Sequence, residues 1–143
     1  DPRDDGALRQ LGEEELMLGD TNAACDAFRG ARELDAAAEG IANRVALCEQ
    51  MLAMEPVQRG LPARERYRRS LALLAAVQSE LLTCTGAPPA APPSQPSRPP
   101  SLSDAADANV ALATDLWARR LGACAAPPAP DAALTRVMSM MKH

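Results

Sequence analysis

Bond-making chemistry at neutral pH needs a nucleophile and a base held beside it, and this chain supplies little of either. Its one histidine, His143, is the last residue, where a chain end is seldom held in place. Glu13, Glu14 and Glu15 are consecutive, so a helix spreads their carboxylates around its axis, whereas a general acid and base must converge on one cleft. The four cysteines, Cys25, Cys48, Cys84 and Cys124, stand 23, 36 and 40 residues apart and form no C-x-x-C pair, so zinc-ligand spacing is absent. The glycines fall singly, without the G-x-x-x-x-G-K-[ST] or G-x-G-x-x-G patterns that cradle phosphates. Arg64, Arg66, Arg68 and Arg69 make the one local basic run, but a helix points them in several directions with Glu65 among them, which reads as a solvated face. The expectation is a chain that is not an enzyme and holds no catalytic residue, no metal and no cofactor.

The elements that position these groups are helices. Of 143 residues 47% are hydrophobic, enough for a core, while the aromatics number three, Phe28, Tyr67 and Trp117, and the β-branched residues that strands favour are scarce. The fold class expected is all-α. Residues 1–40 carry eleven acids against four arginines, and residues 41–143 carry eight acids against eleven bases, so the opening is acidic and the net charge is −4. That balance gives no electrostatic footprint for nucleic acid, which is excluded as a partner. No run approaches the about eighteen apolar residues of a membrane span, so no transmembrane segment is expected, with peripheral membrane contact left open. Each cysteine lies in an alanine-rich helical stretch, where a free thiol acts as a small apolar residue. This predicts a reducing, intracellular and cytoplasmic setting, with two disulfides as the alternative that an even count leaves open. No signal peptide opens the chain and it lacks an initiator Met, which predicts a piece of something longer.

Six helical segments follow from spacing and punctuation. The first runs from about Arg3 to Leu18, capped by Asp4 or Asp5 and stopped by Gly19. The second, capped by Asp20 or Thr21 and reaching Ala38, repeats Ala24, Ala27, Phe28, Ala31 and Leu34 on one face. So short a turn makes the two an antiparallel hairpin. The third spans Ile41 to Glu55 with Ile41, Val45, Cys48 and Leu52 inward, ended by Pro56. The fourth spans Pro62 to Thr83 with Tyr67, Leu71, Leu74, Val77 and Leu81 as its stripe. Residues 86–103 hold seven prolines and no periodicity, which predicts an exposed, disordered loop or linker; the P-x-x-P spacings Pro93 to Pro96 and Pro96 to Pro99 within it suit SH3-type domains but also arise by chance. A fifth helix, capped by Ser103 or Asp104, carries Val110, Ala113, Trp117 and Leu121 inward, and a sixth, capped by Asp131, carries Leu134, Val137, Met138 and Met141, a stripe that packs the core or seals against a partner. The organisation expected is helical hairpins over 1–85, the proline-rich linker over 86–103, and C-terminal helices over 104–143 packing on the same domain.

Leu11, Gly12, Ala24, Phe28, Ala31 and Leu34, within Leu8 to Ala36, resemble the signature of a tetratricopeptide (TPR) hairpin, in which small residues let two helices cross and an aromatic fills the space beside them. Ala46, Ala63, Tyr67 and Ser70 align beneath that hairpin as a diverged copy, with an insertion around Pro56 to Gly60. The resemblance implies a superhelix whose concave face, lined by the first helix of each repeat, holds a partner peptide or helix. Carried onto this chain, that face presents Arg9, Glu13, Leu16, Asn43, Leu47 and Gln50. A TPR clamp for a chaperone's carboxylate tail has an asparagine where this chain has Glu13, which repels that ligand. A second resemblance joins RYRRSLALLAAVQSEL, Arg66 to Leu81, and LWARRLGAC, Leu116 to Cys124, to the MIT-like C-terminal region of autophagy-initiating Ser/Thr kinases. It implies a regulatory and targeting domain that binds the kinase's scaffold subunit. The function expected is a non-catalytic protein-interaction module with a helical groove, the kinase-terminal domain being the alternative.

Overall fold

The computed structural model describes residues 4–85, 101–124 and 132–141. The proline-rich stretch 86–100 with its P-x-x-P spacings, Asp131 as a cap, and His143 lie outside the described residues. Six helices and no strand occur among those described, so the chain is all-α: α1 Asp5–Met17, α2 Thr21–Leu34, α3 Ile41–Met54, α4 Ala63–Thr85, α5 Leu102–Ala123 and α6 Ala132–Met140. None of them is long and apolar enough to cross a membrane. The chain divides into two compact units, residues 1–53 and 54–143. The third and fourth helices, aligned above as a second hairpin, therefore belong to different units, and the boundary between units precedes the proline-rich stretch.

In the first unit local chemistry sets the ends. The Asp4 carboxylate accepts from the N–H groups of Gly6 at 2.9 Å and Ala7 at 3.3 Å, capping α1. Gly19, at φ +82°, closes it: its N–H donates to the Leu16 carbonyl and that of Asp20 to the Glu15 carbonyl, a pair of bonds that requires a left-handed residue. Asp20 then accepts from Ala23 N–H at 3.0 Å and starts α2. The helices pack antiparallel, Gly12 facing Phe28 and Leu8 facing Gly30, so that position rises on one as it falls on the other. Ala24, Ala27, Phe28 and Ala31 are buried as their spacing implies, with Cys25 beside them, but Leu34, expected on the same face, and Leu11, both part of the repeat signature, are 45% and 43% exposed. α2 ends at Leu34, four residues early, because the Asp35 carboxylate accepts from Ala37 N–H and bends the chain into a turn.

The cysteines correct the expectation of free thiols: Cys25 pairs with Cys48 and Cys84 with Cys124, leaving no described cysteine unpaired. Cys25–Cys48 joins α2 to α3 within the first unit, with a Cα–Cα distance of 5.5 Å. Neutral apolar surroundings and helix periodicity look alike for a thiol and a half-cystine, which is why spacing does not distinguish them.

The second unit departs from hairpin geometry. Arg66 pairs with Asp107, Asn109 donates to the Ser70 hydroxyl at 3.1 Å, Arg120 pairs with Glu80 at 3.2 Å, and Cys84 is bonded to Cys124. Position rises on both helices together, so α4 and α5 run parallel and not antiparallel. A parallel pair of helices, unlike a hairpin, cannot be closed by a tight turn.

The faces shift accordingly. Of the stripe expected on α4, Val77 and Leu81 are buried, Tyr67 and Leu74 are half-buried and Leu71 is exposed, while Ser70 and Leu73 are buried one position before Leu71 and Leu74. α5 starts at Leu102 with Ser101 as its cap, accepting from Asp104 N–H at 3.1 Å, two residues ahead of the cap expected. Its fully buried Ala106 and Ala113 permit close approach to α4, and Leu116 completes the face. Trp117, expected in the core, is half-buried. α6 packs on α4 and buries Ala133, Leu134, Val137 and Met138, with Met141 half-buried.

Candidate functional site

A cleft of about 230 Å³ opens in the first unit, lined by Arg9, Gln10, Glu13, Phe28, Glu39, Gly40 and Arg44. Arg9 and Glu13 lie one turn apart on one face of α1, and Phe28, fully buried in α2, lies beneath them. Gly40, at φ +81°, turns the chain into α3 and brings Arg44, the one basic residue of that helix, opposite α1. Arg44 Nε lies 2.7 Å from Glu13 Oε1, and Arg9 Nη2 lies 3.5 Å from Asp5 Oδ2. Both arginine side chains stay about two-fifths exposed, at 39% and 41%, so neither is spent on the core. Arg9 Nε is buried without a hydrogen-bond partner.

Of the six residues expected on a concave binding face, Arg9 and Glu13 line this cleft. Leu16 points into the core at 7% exposure, Asn43 and Gln50 are exposed on α3, and Leu47 is half-buried. Spacing missed Gln10, Glu39 and Arg44. Arg44 had a signal: a carboxylate at Glu13 inside a groove calls for a cation from a neighbouring element, and α3 contains one.

The cleft sets two guanidinium groups and two carboxylates around an aromatic floor, a pattern suited to hydrogen-bonding an extended polar chain. Among the described residues no group of three or more His, Cys, Asp or Glu side chains is arranged to hold a metal ion.

Two further polar clusters belong to the second unit. Two of the four arginines in the run are tied into the fold, Arg66 Nε donating to the Pro56 carbonyl at 3.2 Å and Arg69 Nη1 to Gln58 Oε1 at 3.1 Å, while Arg64 and Arg68 stay exposed. Glu65 accepts from Arg68 Nε at 3.0 Å and Arg69 Nε at 2.9 Å, and these bonds, Arg68's first, hold its carboxyl down at about 2. Arg120 is 9% exposed and meets Glu80, 16% exposed, while its guanidinium carbon stands 4.7 Å from the centre of the Trp117 ring. The contact is one of charge, since Glu80 Oε1 and Arg120 Nε lack aligned hydrogen bonds. No protein-family model, curated protein or solved structure matches this chain.

Proposed function

We propose that this chain is a non-catalytic protein-interaction module that binds a partner peptide or helix on the α1 and α3 face of its first unit. The observation that carries the reading is the cleft itself: Arg9 and Arg44 remain accessible, Glu13 and Glu39 stand beside them, and Phe28 offers an aromatic floor. An isolated pair such as Arg44–Glu13 contributes little to stability at the surface, about 0–1 kcal/mol, so its charges are available for exchange with a ligand's own. Asn43 and Leu47 stand on either side of Arg44 in the same helix and extend the surface along a bound chain.

The test is a pull-down from the native source comparing the wild type with Arg44→Glu, Leu47→Ala and Asn43→Ala, with Leu71→Ala in the second unit as control. Recovery of a partner falls for the first three and holds for the control, at unchanged helical circular dichroism. Equal recovery throughout sinks the proposed face.

The two disulfides favour an oxidising compartment over the reducing cytoplasm. They also favour the interaction module over the terminal domain of an autophagy-initiating kinase, whose scaffold would be met in a reducing setting.

A further inference from the structure

The two disulfides differ in what must move before a thiol can reach them. Cys25 and Cys48 are both 0% exposed and sit inside α2 and α3, so attack on either sulfur requires those helices to separate. Cys84 is half-buried in the last turn of α4, and Cys124, 6% exposed, is the residue that caps α5. Opening there needs only the fraying of two helix ends, the least costly motion a helix makes. One turn inward, at positions four residues earlier on both helices, lies the buried Glu80–Arg120 pair, and Trp117, the one tryptophan of the chain, stacks on Arg120.

We propose that Cys84–Cys124 is a thiol-releasable clasp on the α4–α5 pair, while Cys25–Cys48 is a permanent staple. The co-reactant is a dithiol. One of its thiolates attacks the more accessible Cys84 sulfur, forming a mixed disulfide and expelling Cys124 as a thiolate that takes up a proton. The second dithiol sulfur then attacks the mixed disulfide, releases Cys84 and leaves the carrier as a disulfide. Two electrons and two protons pass to the protein. With the ends no longer joined, water reaches Glu80 and Arg120, whose charges regain the hydration that burial removed, and the turn beyond Trp117 loosens. The clasp thus couples the redox state of the surroundings to the register of a parallel helix pair that no short turn can hold.

The experiment uses the full chain, incubated with dithiothreitol under native conditions, quenched at intervals by alkylation and mapped by mass spectrometry while Trp117 emission is followed. Cys84 and Cys124 are alkylated faster than Cys25 and Cys48 by at least about tenfold, the factor that an opening cheaper by ~1.4 kcal/mol produces. Trp117 emission moves to longer wavelength in step with them. Alkylation of Cys25 and Cys48 at the same rate or sooner overturns the proposal, as does release of Cys84 without a change at Trp117. The variant Cys84→Ser/Cys124→Ser, with Cys25–Cys48 oxidised, keeps its helical circular dichroism and shows the shifted emission with no reductant present. Complete unfolding of that variant would make the bond a condition of folding and not a clasp.

Discussion

Gly12→Ala puts the close approach of α1 and α2 to a quantitative test. In an open helix this change is favourable, because glycine in a helix interior costs about 1 kcal/mol relative to alanine. Here the added Cβ would lie 2.6, 2.7 and 2.9 Å from Cε1, Cζ and Cδ1 of Phe28, against the 3.5–4.0 Å at which carbon atoms attract. The ring would have to retreat by about 1 Å. It has nowhere to go, since Phe28, Ala24, Cys25 and Ala31 are all essentially unexposed and Cys25 is bonded to Cys48. Overpacking of this kind costs about 1–3 kcal/mol, which after the helix gain leaves a net loss of up to about 2 kcal/mol. Urea denaturation under non-reducing conditions, followed by circular dichroism, measures it. Gly30→Ala is the internal control: its Cβ meets only Leu8 Cδ1, the end of a flexible side chain, at 3.3 Å, and stability should rise by about 0.5 kcal/mol or hold. Relieving the clash with Phe28→Leu should make the double variant Gly12→Ala/Phe28→Leu more stable than the sum of the two single losses by at least about 1 kcal/mol. A Gly12→Ala protein more stable than the wild type would refute the close crossing and the packing built on it.

Arg120→Met strands the Glu80 carboxylate in a site 16% exposed and should cost about 3 kcal/mol in denaturant midpoint terms, while Glu80→Leu/Arg120→Met recovers most of it; equal losses would show that the pair's desolvation is unimportant. Glu65 predicts a pH window: its folded pKa of about 2 lies below the ordinary 4.5, so its contribution is complete above about pH 4.5 and disappears as pH falls toward 2. The stability difference between wild type and Glu65→Gln should be constant near neutrality and close across that interval, and a carboxyl titration by NMR centred at the ordinary value would contradict it.

What the sequence disclosed was local. Asp4 and Asp20 cap helices and Gly19 stops one because each acts on backbone groups within a few residues, and these were legible as such. The all-α class and six segments follow from the same signals. Elsewhere spacing chose a near neighbour of the right residue: it put the α5 cap at Ser103 or Asp104 where the structure uses Ser101, and it put Leu71 and Leu74 on the α4 stripe where the structure buries Ser70 and Leu73. Contacts from elsewhere in the chain accompany that choice, as where Asn109 of α5 donates to the buried Ser70 hydroxyl. The disulfides and the parallel course of α4 and α5 are wholly non-local, and no residue near Cys84 announces Cys124. The cleft was half legible, since Arg9 and Glu13 share a helical face, whereas Arg44 enters only through the turn at Gly40.

The Cys25–Cys48 bond also bears on recognition. Cys25 lies one turn before Phe28 on α2, and Cys48 lies one turn after Arg44 on α3. The bond therefore fixes the helices that carry the floor of the cleft and one of its two cations, with the Arg44–Glu13 contact adding α1. Closing a loop over a separation of 23 residues removes about 3 kcal/mol of chain entropy from the unfolded state. That stabilisation falls on the unit with the proposed binding face, where it would leave less to be ordered on binding, the way in which preorganisation raises affinity without any new contact. A cysteine pair that spacing presented as two small apolar residues thus becomes part of the reason why three short helices can present a defined surface.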